Sequence, residues 1–448
     1  MGQLLLAFSL AIFILLFLIL KLKIPAFISL LIASIAAGLL AGLDSNAIID
    51  TIQKGMGNTL GYVATVVGLG AMFGAILEYS GGAQSIVNFL LKKFGEKRAP
   101  LAMMIAGFII AIPVFFDVAF IILIPVIYSI QRKTKKSLLL YAIPLLAGLA
   151  ITHAFIPPTP GPVAVADIIK VDLGSVILVG IICGIPTAIV SGLLFGKYIS
   201  NKIHIDAPTE NLTDKNNTIQ EDIPFGLIIS IIALPIVLIL LGTLTKSGLF
   251  DIESDHIFAK TIALVGHPFV ALIIANLLAW YTLGIKRNFS KDQLLEVSKK
   301  SFGPAGTIIL LTGAGGVFKQ VLVDTGAGSM IAESMSDIGF PILLFAFMAS
   351  CLIRVIQGSA TVAMITSAGL VAPLLDLQNS SSTFLACIVI AIASGASILS
   401  HVNDSGFWLV SQYLGMNEKD TFRSWSMMTT ILALTGFTMA VMVNIFVV

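Results

Sequence analysis

The sequence predicts an all-α, polytopic membrane protein built as two inverted-topology repeats, each with a re-entrant hairpin and an interrupted helix. Three observations carry that prediction. The first is composition: of 448 residues, 57% are hydrophobic and 11% charged, against about a quarter charged in soluble domains. The second is the stretch from Arg98 to Lys136, an apolar run closed at both ends by clustered basic residues. The third is a set of colinear matches between the two halves of the chain.

Lys92, Lys93, Lys97 and Arg98 precede that stretch, and Arg132, Lys133, Lys135 and Lys136 follow it. Lys and Arg collect on the cytoplasmic side of membrane segments, so both ends are expected inside. Two full spans need about 40 apolar residues plus a turn, more than this segment offers. Pro113 interrupts the helical hydrogen-bond ladder, and Asp117 is a carboxylate at membrane depth. A re-entrant hairpin over 100–130, turning at Pro113–Asp117, reconciles these facts. Non-helical backbone at that depth is tolerated only against protein or a water-filled cavity, so the tip is read as part of a binding site.

In chain order, Leu4–Leu20 reads as an outward-to-inward span closed by Lys21 and Lys23, with no basic region before it that would mark a cleaved signal. Ile24–Leu43 returns outward to a loop with Asp44 and Asp50, and Gly57–Leu77 crosses inward to a short helix, Gly81–Leu91. After the hairpin comes an interrupted helix over 138–172. Its break holds Pro157, Pro158, Pro160 and Pro162, which remove donors and fix φ, so the chain there is expected to be extended. Gly174–Phe195 comes back inside. The polar stretch 197–224 is read as a cytoplasmic linker between a first repeat, 1–196, and a second, 225–448. In the second half, Phe225–Leu241, Phe258–Leu283 and Ala305–Val323 read as spans, with an outer loop holding Asp251, Glu253, Asp255 and His256. Acidic or neutral flanks, with Glu333 and Asp337 on one side, make 340–375 a second hairpin, entered from outside. An interrupted helix over 384–411 and a last span, Met427–Phe446, follow. Both termini then fall outside the cell.

Composition also excludes. The net charge of +2 is explained by loop lysines and arginines and points to no nucleic acid. Cys183, Cys351 and Cys387 lie in apolar segments and read as packing residues rather than a disulfide or metal site. No metal site or cofactor is expected. Neither an H-E-x-x-H nor a G-x-S-x-G pattern is present, which speaks against an intramembrane enzyme. A channel would differ in conducting without saturation.

The internal matches sit at near-constant offset. Gly68–Gly81 aligns with Gly313–Gly326, Ile112–Ile121 with Ile356–Ile365, and Thr152-His153 with Ser400-His401. Opposite directions of the matched helices imply an inverted repeat, the arrangement of secondary transporters whose sites form where discontinuous helices meet. Four breaks are expected to converge: Pro113–Asp117, Gln357–Thr361, His153–Pro162 and His401–Gly406. Within them, Asp117 is either a helix-capping acid or a proton carrier. His153 and His401, at matched positions, either satisfy a released carbonyl or handle substrate and proton. Gln357, Gly358, Ser359 and Thr361 cluster polar groups at the outer tip. Arg354 is a candidate for a substrate carboxylate, with pairing to Asp117 or Asp404 as the alternative. Asn403 and Asp404 stand in the second interruption, where a local turn is the plainer reading. Thr159 and Gly161 are the hydroxyl-bearing and flexible positions among the prolines. All twelve are candidates for substrate contact, and Asp117, His153 and Asp404 for proton coupling.

The segments FFDVAFIILIPV, HAFIPPTPGPVA, QGSATVAMITSAGLVAP and HVNDSGFW resemble those of the gluconate permease family of proton symporters, and the resemblance runs from the first span to the last. It implies proton-coupled uptake of gluconate, a related sugar acid or D-serine across the bacterial inner membrane. It also implies the ion-transporter-type architecture: a scaffold domain, a moving transport domain and a homodimer. A sodium-coupled carboxylate carrier is the alternative, since tip hydroxyls and broken-helix carbonyls suit a cation.

Overall fold

The computed structural model describes residues 2–208, 223–246, 257–327, 341–376, 379–402 and 404–447. Among the described residues there is no strand. Seven helical stretches are long and apolar enough to cross a membrane by length and composition. The protein is therefore an all-α, multi-pass membrane protein.

Helices α1 (Gly2–Leu20) and α2 (Ala26–Leu40) lead into α3 (Ser45–Tyr79), which is 35 residues long. The expected loop around Asp44 and Asp50 is instead the start of this helix. Asp44 caps it by accepting hydrogen bonds from the Asn46 and Ala47 amides, so Asp50 lies within the helix. A short α4 (Gly82–Phe94) precedes the two arms of the first hairpin, α5 (Ala99–Ile110) and α6 (Phe116–Thr134). The arms part at 111–115, around Pro113. Their far ends meet: Glu96, just before α5, pairs with Lys133, in the last turn of α6, at 2.5 Å.

The first interrupted helix is α7 (Leu139–Phe155) and α8 (Pro160–Ile169). Here the expectation of an extended chain through Pro162 fails. Pro160 is the first residue of α8, and the opening turn of a helix has amides without intrahelical partners, so prolines fit there. Next, α9 (Leu173–Ala188) continues through a wider turn at Ile189–Leu194 into α10 (Phe195–Ser200). The expected linker thus begins at least four residues late, and half of it, 209–222, lies outside the described residues.

In the second half, α11 (Phe225–Lys246) is followed by α12 (Ile257–Val265) and α13 (Pro268–Ala279). The single span expected over Phe258–Leu283 is therefore broken. Gly266 comes within van der Waals range of Gly242 on α11, and Pro268 opens α13. The loop around Asp251, and Glu333 and Asp337, lie outside the described residues. Long α14 (Lys291–Asp324) starts from a reciprocal cap, Ser290 with Gln293, well before the expected Ala305. The second hairpin is α15 (Ile342–Gln357) and α16 (Ala360–Val371). Gly358, at a left-handed φ of +90°, makes its sharp tip. The second interrupted helix is α17 (Ser382–Ser397) and α18 (Ser405–Tyr413). Short α19 (Glu418–Thr421) passes through a wide turn at Phe422–Ser426 into α20 (Met427–Val447).

The two long helices α3 and α14 pack on each other where glycines thin both surfaces. A Cβ on Gly55 would lie 2.6 Å from the Val317 backbone, and Thr51 donates to the Asp324 carboxylate at 2.7 Å. The same pair seats the irregular segments of the first half. Gly74 on α3 lies directly under the Pro113 carbonyl, and Gly70 faces the Pro158 carbonyl. On α14, Lys319 donates to the Ile168 carbonyl at the end of α8 at 2.6 Å.

Candidate functional site

A cavity of about 540 Å³ lies where the four irregular segments come together. The start of α6 contributes Phe115, Phe116, Asp117 and Val118. The second hairpin contributes Arg354, Gln357, Gly358, Ser359, Ala360 and Thr361. From α7 come Ala150, His153 and Ala154, and from the second interruption Ser397, Asp404, Ser405 and Gly406. Ile308, Trp425, Thr429 and Leu432 complete the wall. Three helices, α6, α16 and α18, thus begin at one cavity. The first amides of a helix lack intrahelical partners and carry its positive dipole end, so such a convergence favours an anion.

The charged side chains divide into a held pair and an open acid. Arg354 is 4% exposed. Its Nη2 donates to Asp404 Oδ2 at 2.5 Å, and Nη1 donates to the Gly358 carbonyl at its own hairpin tip. Asp404 also accepts from Ser400 Oγ and, through Oδ1, from the Gly406 amide at 3.0 Å. Trp425 Nε1 donates to Ser400 Oγ at 2.6 Å, which extends the network to the turn before α20. Asp404 is thereby saturated with donors. The sequence left open whether Arg354 meets a substrate or a carboxylate of the protein; here it is paired with Asp404. Asp117, in contrast, is exposed to the cavity and has no hydrogen-bond partner among the described residues. The cap position of α6 is Phe115, with no side-chain cap bond, so Asp117 does not cap the helix.

The remaining polar groups are set by local folding. Gln357 Oε1 accepts from the Ser359 amide at 2.8 Å, and Ser359 Oγ caps α16 by accepting from Val362 N. Thr361 reaches the cavity half-buried. His153 Nδ1 is buried without a hydrogen-bond partner, with the Phe115 ring edge-on at 6.2 Å.

Of the twelve residues singled out from sequence, eight line this cavity: Asp117, His153, Arg354, Gln357, Gly358, Ser359, Thr361 and Asp404. Asn403 lies outside the described residues. The other three, His401, Thr159 and Gly161, are not part of this cavity's lining. His401 Nε2 donates to the Val355 carbonyl at 2.8 Å, tying the second interruption to the hairpin. Thr159 is buried and donates to the Ile156 carbonyl, closing the turn before α8. Gly161 packs on the second hairpin, where a Cβ would stand 2.9 Å from Met364 Sδ. Because Pro160 and Pro162 are helical, α8 turns these two positions into packing rather than toward the cavity. Sequence reasoning missed Phe116, Ser397, Trp425 and Thr429. An aromatic or hydroxyl residue inside an apolar helix gives no local signal of the face it presents.

Comparison with known proteins agrees with this architecture. The model of the GntP family permeases matches residues 3–446. A low-affinity gluconate transporter of Escherichia coli (strain K12) is 41% identical over 389 residues, covering 87% of this chain and 86% of that protein. A gluconate permease of Pseudomonas aeruginosa is 38% identical over 401 residues, covering 89% and 88%. Among solved structures, the Alcanivorax borkumensis YdaH transporter shares the fold, with a TM-score of 0.66 at 13% identity over 94% of this chain and 98% of that one. With a family match that runs almost from end to end, the protein belongs to the GntP family of permeases.

Proposed function

We propose that the protein is a proton-coupled symporter that carries gluconate or a closely related sugar acid into the cell. The observation that carries this reading is the meeting of three helix starts and the Arg354–Asp404 pair around an open Asp117. A sugar acid has one carboxylate and a row of hydroxyls. Helix-start amides suit the carboxylate, while Gln357, Ser359, Thr361, Ser405 and Thr429 offer donors and acceptors for the hydroxyls.

The charge balance supplies the reason for coupling. Arg354 and Asp404 cancel, which leaves Asp117 as the uncompensated charge of the wall. An anionic substrate beside an ionised Asp117 is repelled, whereas a proton on Asp117 removes the repulsion and turns the acid into a donor. Substrate and proton therefore favour each other's binding. His153, whose Nδ1 lacks a partner, is placed to pass the proton. Asp404 serves as the partner of Arg354.

The same reading makes the halves inverted repeats, with α3 and α14 in a scaffold and the hairpins and interrupted helices in a moving transport domain. It places a homodimer in the bacterial inner membrane with both termini outside. Uptake into proteoliposomes tests it, using labelled gluconate, other sugar acids and D-serine under imposed proton or sodium gradients. Accumulation of gluconate driven by acid outside is expected. Accumulation that follows sodium and ignores pH, or that prefers D-serine, overturns the assignment.

A further inference from the structure

Away from the central cavity, basic groups concentrate where the two ends of the first hairpin meet. There α4, the turn before α5 and the last turns of α6 enclose a cleft of about 670 Å³. Lys92, Lys97 and Lys133 line it, and Glu96 is its single acid. Three lysines less one glutamate leave a formal charge of +2 on the lining. The acid is already engaged, since its carboxylate meets Lys133 at 2.5 Å. Lys92 and Lys97 are exposed and stand in no ion pair among the described residues. Lys93, next in sequence, is turned away, its ammonium 5.9 Å from the Phe89 ring centroid. Leu91 and Ile130 give the cleft an apolar side. Two ammonium groups outside any ion pair among the described residues, with Lys133 beside them and an apolar side-chain wall, on the face where the proposed topology puts both hairpin ends, match a phosphate group with acyl chains beneath it.

We propose that this cleft binds a phosphate group, and that its occupant is the headgroup of an anionic phospholipid of the bilayer. A phosphodiester there bridges Lys92 and Lys97, before the hairpin, with Lys133, in its second arm. The lipid so held joins both ends of the hairpin whose tip carries Asp117. The inference rests on the membrane placement in the proposed function, but not on the cargo or the coupling ion.

The test uses the full-length protein reconstituted in phosphatidylcholine vesicles with or without phosphatidylglycerol. Retained lipid is counted by native mass spectrometry and the thermal unfolding midpoint is recorded. Three proteins are compared: wild type, Lys92→Gln/Lys97→Gln, and a control with equal charge loss elsewhere, Lys286→Gln/Lys299→Gln. Wild type and control are expected to retain phosphatidylglycerol and to gain stability from it. The cleft variant should retain far less, by about fivefold for each lysine removed. Equal retention by all three, or equal loss in the cleft variant and the control, overturns the site. Inorganic phosphate added to phosphatidylcholine vesicles separates the sources. Stabilisation by phosphate alone that is lost in the cleft variant overturns the lipid as occupant, while its absence supports the lipid. Gluconate uptake by the cleft variant is measured in parallel, so a failure of the lipid site is not confused with a failure of the transport reading.

Discussion

Arg354 and Asp404 meet at 2.5 Å and join the tip of the second hairpin to the start of α18. The guanidinium also donates to the Gly358 carbonyl, and the carboxylate also accepts from Ser400 and Gly406. Two irregular segments are thereby locked together by one pair, of which Arg354 is buried and Asp404 half-buried at the cavity. Removing either partner leaves the other charge buried and unmatched, which costs about 3–5 kcal/mol. Arg354→Gln and Asp404→Asn should each lower the thermal midpoint of the solubilised protein strongly. The double variant should recover a substantial part of the loss. Additive losses in the double variant would show that the pair is not the unit of stability.

The pair of Glu96 with Lys133 gives a second prediction. It brings the two ends of the first hairpin together, so Arg98 and Lys136 should lie on one side of the membrane. Single cysteines at those positions should react with an impermeant thiol reagent from the cytoplasmic side alone. Labelling from opposite sides would replace the hairpin with a crossing.

How much of this was legible in the sequence depended on the kind of break. Pro113, Gly358 and the polar run His401–Gly406 interrupt apolar stretches, and each marks a real irregularity of the chain. The prolines at 157–162 misled because proline signals a stop inside a helix and a start at its first turn, and Pro160 is a start. That one difference moves Thr159 and Gly161 from the cavity wall into packing. The interruption before Pro268 went unread because its flanks are apolar throughout, leaving Gly266-His267-Pro268 as the single cue. Asp117 was visible as a carboxylate at depth, but the saturation of Asp404 and the openness of Asp117 are facts of folding.

At the outer tip, Thr361 is the cleaner probe. Ser359 also caps α16, so Ser359→Ala mixes a ligand effect with about 1 kcal/mol of helix stability. A neutral hydrogen bond to a bound ligand is worth about 0.5–1.5 kcal/mol. Thr361→Ala should therefore weaken the apparent affinity for the transported acid by about threefold to tenfold. Thr159→Ala and Thr366→Ala, both buried away from the cavity, should leave it within about twofold. Equal effects at all three would move the site away from the tip.

Gly74 supports the tip of the first hairpin. A Cβ there would overlap the Pro113 carbonyl oxygen, a backbone atom that cannot move aside like a side chain. Gly74→Ala should cost about 1–3 kcal/mol or displace the tip, with loss of transport. Gly61→Ala, on the same helix but facing open space, should be neutral or stabilising by roughly 0.5–1 kcal/mol. Thermal midpoints of the two variants, read beside uptake, check this. Tolerance at Gly74 equal to that at Gly61 would refute the close seat.

The central claim is that Asp117, open to the cavity while Asp404 is held by Arg354, carries the transported proton. Asp117→Asn keeps the side chain's shape and removes its proton exchange. Gluconate movement is followed in proteoliposomes holding either wild type or this variant. Wild type should accumulate gluconate against its gradient when the outside is acid. The variant should lose that accumulation and its pH dependence, yet still exchange labelled for unlabelled gluconate at equal concentrations. Proton-driven accumulation that persists in Asp117→Asn would contradict the account.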